Sequence, residues 1–334
     1  MSTYRAAING FGRIGRTLLK EALRRNELEI VAVHDLADMP TLLHLLKYDS
    51  TQGIFEMSIE SVDENTALIG GRTIRFFQNV SEFPWSQMNV DLVFECSGTM
   101  KTEAQCEKHI FDGATRVLLS APSEDQMPMW IVGVNDHQVD LDRKIISCAS
   151  CTTNNAAPVI QLIDDAYGVE SCYISTVHSY TGDQKLHDAP HKDLRRARSA
   201  MVSLAPTSTG SATAIALIYP ELKGKLNGHA VRAPVLNASL TDCVFELQRS
   251  TTAEEVNALF EKAANGPLLG ILGYETRPLV SVDYARDTRS SIIDALSTMV
   301  TDGTLLKVYA WYDNEMGYSC RMVDLACYME SVGI

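Results

Sequence analysis

The chain has 334 residues, enough for about two domains with full hydrophobic cores, and its 46% hydrophobic and 21% charged residues are the balance of an ordinary soluble globular protein. A net charge of −13 argues against general affinity for nucleic acid or an anionic membrane, while leaving room for a local basic pocket that takes a small anion. No apolar run approaches the roughly 18 to 20 residues of a membrane span, and eight dispersed cysteines without a charged-then-apolar leader point to a cytoplasmic protein with reduced thiols.

Arg5 to Asn9 reads as a buried strand that runs straight into Gly10-Phe11-Gly12-Arg13-Ile14-Gly15, followed by helical composition from Thr17 to Arg25. This is G-x-G-x-x-G in its strand-turn-helix setting: Gly10, Gly12 and Gly15 permit the tight turn, close approach to a pyrophosphate and helix-on-strand packing. The apolar run Leu28 to His34 ends at Asp35, about 20 residues beyond the last glycine, where a carboxylate accepts both ribose hydroxyls and repels a 2′-phosphate. NAD is therefore favoured over NADP. The alternative for Asp35 or Asp38 is a cap on the helix that begins near Pro40.

Beyond the helix Leu42 to Lys47, Gly70-Gly71 predicts a hairpin between Ala67 and Phe77. Strands are predicted at Asp91 to Cys96, Arg116 to Ser120, Trp130 to Val134 and Lys144 to Ser147, with a helix at Thr102 to Asp112. Strands alternating with helices imply a parallel, doubly wound sheet, whose ligand lies at the carboxyl ends of the strands, here near Ser97-Gly98.

The second half is organised differently. Val159 to Tyr167 has one apolar helical face with Gly168 as a C-cap, which puts Cys151 at or near a helix start. Unpaired N–H groups and the positive dipole end there favour a thiolate; the competing reading is a buried small hydrophobe. Tyr173 to His178 reads as a strand ending in histidine, and the polar stretch from Ser179 to Pro206 is long enough to be functional. Strands follow at Gly228 to Ala233, Ser239 to Gln248 and Lys307 to Tyr312, a capping box at Thr252 to Glu255 opens a helix through Ala264, and Asp313 to Tyr318 turns into a final amphipathic helix. An antiparallel sheet backed by helices is expected.

A helix-start cysteine, a strand-end histidine and a dinucleotide motif together suggest oxidation of an aldehyde through a thioester. Thiolate adds to the carbonyl, the hemithioacetal gives up hydride to the nicotinamide, and a second nucleophile cleaves the thioester. His178 can hold the thiolate and take the hemithioacetal proton, or be a structural histidine. Ser150, Thr152, Thr181, Thr209, Gly210, Arg196 and Arg232 offer hydroxyls and cations for two anionic groups, although Arg195, Arg196 and Arg198 would equally suit surface ion pairs.

Residues 8–16, 149–154, 178–184, 189–198 and 311–315 resemble the phosphorylating glyceraldehyde-3-phosphate dehydrogenase family over essentially the whole chain. The resemblance implies a Rossmann-type doubly wound NAD domain at 1–150, to which the helix 316–334 returns, and an α+β catalytic and oligomerisation domain at 151–315 with a mainly antiparallel sheet. It implies Cys151 as nucleophile, His178 as its activator, and Arg13, Ile14, Asp35, Ser120 and Asn314 as NAD contacts, Asn314 holding the carboxamide. Ser150, Thr152, Thr209, Gly210 and Arg196 would line the inorganic phosphate site, and Thr181 and Arg232 would bind the phosphate of glyceraldehyde 3-phosphate. A homotetramer is implied, its 179–206 loop packing against the neighbouring subunit. Residues 224–232, 237–246 and 309–315 further resemble the branch associated with bacterial arsenic-resistance operons, which implies arsenate in place of phosphate, a 1-arseno-3-phosphoglycerate product and coupling to a partner permease.

Three positions depart from the family pattern: Cys148, Asn155 and Met316. Cys148 creates a C-x-x-C with Cys151, which opens a redox-switched thiol reading or half a zinc site, although no further ligands appear at zinc spacing and no metal is expected. Erythrose-4-phosphate and semialdehyde dehydrogenases are the other enzyme readings.

Overall fold

The computed structural model describes residues 4–125, 127–138, 140 and 142–333. Among them the chain divides into two compact units, one made of Met1–Val132, Asp136–Ala149 and Ser319–Ile334, the other of Gly133–Asn135 and Ser150–Tyr318.

The first unit is built on an eight-stranded sheet in the order Ile145–Ser147, Arg116–Leu119, Leu92–Glu95, Arg5–Asn9, Glu29–Asp35, Arg72–Gln78, Thr66–Ile69, Ile59–Ser61. The first six strands are parallel and the last two pairings antiparallel. Ala6, Ala7, Ile8, Leu92, Val93 and Phe94 are all fully buried, as a sheet covered on both faces demands of near-continuous apolar runs. Chain order runs outward in opposite directions from Arg5–Asn9 and Leu92–Glu95, which makes their carboxyl ends the switch point where open α/β sheets take ligands. Gly70 (φ +56°) and Gly71 (φ +79°) form the two-residue turn of the hairpin, a conformation that matches strand twist and suits glycine.

One predicted strand is absent. Trp130 to Val134 forms no strand: only the preceding Met129 makes an isolated bridge, with Ser147, and the chain turns at Gly133, whose φ is +79°. The final helix covers Met316–Ser331; residue 334 of the expected 316–334 helix lies outside the described residues. Within the first unit Asp324 pairs with Arg25 at 2.5 Å and Glu330 accepts from the Tyr4 N–H at 3.1 Å.

The second unit is built on a sheet in the order Ala205–Thr207, Leu226–Ala233, Val169–Ser179, Ser239–Leu247, Leu305–Tyr312, Ser291–Asp294, Leu272–Glu275. Two of its pairings are parallel, Val169–Ser179 with Leu226–Ala233 and Leu272–Glu275 with Ser291–Asp294; the others are antiparallel. The helix Cys151–Tyr167 lies against four of these strands, and Thr152 to Ile160 are all buried. Apolar periodicity begins only at Val159, yet the helix starts eight residues earlier: small, buried residues pack its first turns closely. Pro158 sits inside it, forgoing the bond its nitrogen would give the Asn154 carbonyl. Asn155 instead ties this helix to the sheet, donating through Nδ2 to Ser291 Oγ and the Trp311 carbonyl, each at 3.2 Å. No helix among the described residues is long and apolar enough to cross a membrane.

Candidate active site

The glycine turn of the first unit is shaped as its sequence requires. Gly10 has φ +91°, and a Cβ there would lie 2.5 Å from the Ser97 backbone; one on Gly15 would lie 2.2 Å from the Gly10 carbonyl. Both positions exclude a side chain. Gly12, the N-cap of the helix Arg13–Arg25, is exposed, makes no side-chain cap, and a Cβ there would meet nothing within 4 Å. Open backbone N–H groups facing open space fit a dinucleotide's pyrophosphate. Asp38 caps the helix Met39–Lys47, accepting from Thr41 N at 2.9 Å, so Asp35 is not that cap. Asp35 Oδ2 instead accepts from Phe11 N at 2.6 Å and Oδ1 from Ala37 N at 3.0 Å, fixing the carboxylate beside the glycine turn with lone pairs left for two vicinal hydroxyls.

Arg13, partly exposed at the start of that helix, pairs with Asp49 at 2.7 Å. Although burial acts to raise Asp49, hydrogen bonds from Gln52 N, Arg13 and Lys20 hold its carboxyl well below the usual range. Ile14 is half-buried on the first helical turn, and Ser120, half-buried where Arg116–Leu119 ends, donates its N–H to the Glu95 carbonyl at 2.9 Å.

In the second unit Cys151, His178 and Arg232 come together from three elements. Cys151 is the first residue of its helix, whose N-cap Ser150 accepts from Thr153 N at 3.0 Å. Its Sγ lies 3.5 Å from His178 Nε2. His178 and Arg232 stand opposite each other on adjacent parallel strands, and Arg232 Nη1 lies 2.8 Å from His178 Nδ1 and donates to the Ser179 carbonyl at 3.0 Å. That carbonyl, 2.7 Å from Nδ1, can only accept, while the Arg232 guanidinium can only donate, so the two contacts at Nδ1 favour opposite tautomers; in the one protonated at Nδ1 the Nε2 lone pair faces sulfur. Burial, then the Arg232 charge, push His178 down to about 3. Burial also pushes the Cys151 thiol up, against the opposing pull of Arg232 and hydrogen bonding at Thr152. Both shifts favour a thiol beside a neutral imidazole, burial being the larger cause and the Arg232 charge the second cause at the ring.

Among the described residues Arg232 makes no ion pair with a carboxylate, which leaves its charge available to an anion. Arg196 is different: it pairs with Asp183 and, at 3.5 Å, with Asp193, and Thr181 Oγ1 also donates to Asp183. Hydroxyls gather where two helices begin. Ser150 Oγ lies 3.4 Å from Ser211 Oγ, which lies 3.0 Å from Thr209 Oγ1, and Gly210 caps the helix Ser211–Ile218 without a side-chain bond. Thr152 Oγ1 turns to Tyr312 Oη at 2.9 Å. Asn314 Oδ1 accepts from Ser179 Oγ at 2.9 Å and Ser239 Oγ at 3.1 Å, which leaves its Nδ2 as a donor.

Sequence reading missed Tyr312, whose hydroxyl joins Thr152 and Thr176, each at 2.9 Å, and whose ring packs edge-on to His178. Its position four pairs along from Val308 in a strand gave the only signal, alternate residues of Leu305–Tyr312 facing inward. Cys148 is buried and its thiol is pushed by burial to about 12; no cysteine among the described residues is in a disulfide.

Comparison with known proteins agrees with these two units. Residues 4–103 match the family model described as the glyceraldehyde 3-phosphate dehydrogenase NAD binding domain, and residues 150–314 match the C-terminal domain of the same family. The chain is 49% identical over 330 residues to glyceraldehyde-3-phosphate dehydrogenase 1 of Bacillus cereus, covering 98% of each. It is 51% identical over 327 residues to glyceraldehyde-3-phosphate dehydrogenase 3 of Nostoc sp., covering 96% of this chain and 97% of the other. The Geobacillus stearothermophilus enzyme is 48% identical over 333 residues, 99% of each.

Proposed function

Because the chain belongs to the glyceraldehyde 3-phosphate dehydrogenase family, and is an NAD-dependent oxidoreductase of that kind, we propose that Cys151 carries glyceraldehyde 3-phosphate as a thioester and releases it to inorganic phosphate. The observation that carries this reading is the 3.5 Å approach of Cys151 Sγ to His178 Nε2 at a helix start, with a carboxylate-free Arg232 behind the ring. His178 Nε2 takes the thiol proton as sulfur bonds to the aldehyde carbon, and the Cys151 N–H at the helix start donates to the oxygen that becomes negative. NAD, when bound, supplies the hydride acceptor. The imidazolium passes that proton to the oxygen, giving the hemithioacetal hydroxyl, and the neutral ring takes it back as the carbonyl reforms and hydride leaves the carbon; an oxygen of inorganic phosphate then adds to the thioester carbon, the C–S bond breaks, and the sulfur recovers the proton from the imidazolium.

Gly10, Gly12, Gly15, Arg13, Ile14, Asp35 and Ser120 would hold NAD, and the Asn314 Nδ2 would donate to its carboxamide. Arg232 with Thr181 would bind the substrate phosphate. Ser150, Thr209 and Gly210, with Thr152 and Arg196, would bind the inorganic anion; Asp183 and Asp193 must then share Arg196 with it. Exposed Leu194, Val202 and Leu204 in the 179–206 loop support a homotetramer that covers them, which light scattering tests. The residues quoted for the arsenic-associated branch support arsenate as the acceptor, with an unstable 1-arseno-3-phosphoglycerate handed to a permease.

NADH formation from glyceraldehyde 3-phosphate and NAD, with phosphate and arsenate titrated separately and Cys151→Ser as control, tests the reading. Saturation by phosphate supports the phosphorylating reaction. Saturation by arsenate alone supports the arsenic role, and no NADH with either acceptor refutes the substrate.

A further inference from the structure

Beneath the cofactor turn lies a buried polar chain that the reaction itself does not use. Glu95, fully buried at the carboxyl end of Leu92–Glu95, receives four hydrogen bonds. Oε1 accepts from Ser97 N at 2.8 Å and Ser97 Oγ at 2.5 Å; Oε2 accepts from Asn9 Nδ2 at 2.5 Å and His109 Nε2 at 2.9 Å.

Every donor role in the chain is forced. Trp85 Nε1 can only donate, and it donates to His109 Nδ1 at 3.0 Å, so His109 carries its proton on Nε2 and points it at Glu95. Asn9 gives its Nδ2 to Glu95, so its Oδ1 accepts from His34 Nδ1 at 2.6 Å. The whole chain therefore converges on one acceptor-only carboxylate. Such a network is specific because a partial loss leaves a buried group unsatisfied.

Its placement gives it a task. Asn9 immediately precedes Gly10, and Ser97 precedes Gly98; the two turns form opposite banks of the switch-point crevice, close enough that a Cβ on Gly10 would meet the Ser97 backbone at 2.5 Å. We infer that Glu95 is a positioning residue for cofactor binding: by accepting from Asn9 on one side and Ser97 on the other, its buried carboxylate holds the Gly10 and Ser97–Gly98 turns at the spacing a dinucleotide requires. His109 and Trp85 orient the carboxylate, and His34 fixes the amide of Asn9 so that its donor faces Glu95.

Calorimetric titration of NAD into the full-length protein, beside its melting temperature without NAD, separates positioning from simple support of the fold. Glu95→Gln turns an amide donor toward Asn9 Nδ2 and His109 Nε2, and the expected result is about tenfold weaker NAD binding. His34→Ala frees the Asn9 amide and weakens NAD by about threefold, whereas His34→Asn, which keeps an N–H donor for Asn9, stays within about twofold of the parent. If Glu95→Gln and His34→Ala melt lower but bind NAD within about twofold of the parent, the network merely supports the fold and the inference fails. Should Glu95→Gln not fold, the two His34 variants decide: equal NAD affinity in both overturns the assignment.

Discussion

Arg232 is the charge that most directly tests the Cys151 and His178 chemistry. It lies 2.8 Å from Nδ1 on the far side of an imidazole whose Nε2 is 3.5 Å from sulfur, so cation and thiolate are within about 8 Å. At an effective dielectric of about 20 that separation is worth about 2 kcal/mol, or about 1.5 pKa units, and about one unit after screening by physiological salt. The sign is fixed: the cation favours the thiolate and disfavours the imidazolium. Arg232→Gln should therefore raise the already elevated Cys151 thiol pKa by about one unit and let His178 rise above about 3. The assay is the pH dependence of Cys151 alkylation by iodoacetamide without substrate, read on the Cys151 peptide by mass spectrometry. Arg232→Lys should keep the parent's inflection to within about half a unit, since it keeps the charge. An Arg232→Gln inflection at or below the parent's would show that sulfur does not feel this cation, and the electrostatic account of the site would be wrong.

Three other perturbations have defined outcomes. Gly10→Ala forces a Cβ into the Ser97 backbone at 2.5 Å from a φ of +91°, and should abolish measurable NAD binding in calorimetry; near-parent affinity would refute the turn's role. Tyr312→Phe keeps the ring but strands Thr152 and Thr176, and should cost about 1 to 2 kcal/mol in urea denaturation, with no loss counting against the hydroxyl bridge. Asp49→Asn breaks a buried ionic cluster with Lys20 and Arg13, each within 3.0 Å, and should cost about 3 kcal/mol at pH 7. Because the folded Asp49 pKa lies below the unfolded value near 3.9, its contribution is full above that value and falls away below it. The stability gap between parent and variant should narrow by about 1 kcal/mol at pH 3, and a gap independent of pH would refute the assignment.

The first unit was the more legible in sequence because its elements carry local signals. Buried apolar runs alternating with helical stretches and a glycine turn whose spacing is dictated by sterics act within a few residues of chain, as the Thr252 capping box does in the second unit. Trp130 to Val134 misled because its apolar composition matches a strand while one left-handed glycine redirects the backbone. Cys151 and His178, the pair proposed to carry the chemistry, were nameable from sequence, but their electrostatics were not. The pairing of His178 with Arg232 is a register fact between strands 54 residues apart. Tyr312 was invisible for a related reason: a buried tyrosine on a strand is an ordinary core residue until Thr152 and Thr176 are seen at its hydroxyl. Glu95 and His109 carry no motif, since a buried carboxylate is recognisable only by the donors around it.

Arg232 faces two demands that oppose each other. A cation near sulfur helps form thiolate, yet the same cation 2.8 Å from Nδ1 keeps His178 neutral and so withholds the imidazolium that would hold that thiolate. A resident carboxylate would relieve the conflict, but Arg232 pairs with none among the described residues, and nearby Asp183 is taken by Arg196 and Thr181. Further relief then has to come from outside the chain. An anion on Arg232, the role proposed for the substrate's phosphate, adds negative charge to the partial relief that Asp183 already gives and raises the proton affinity of His178 by the same Coulomb argument that lowers it here. On this reading the resting thiol stays protonated and less open to alkylation or oxidation, and the base becomes competent when the anion that marks the right aldehyde arrives.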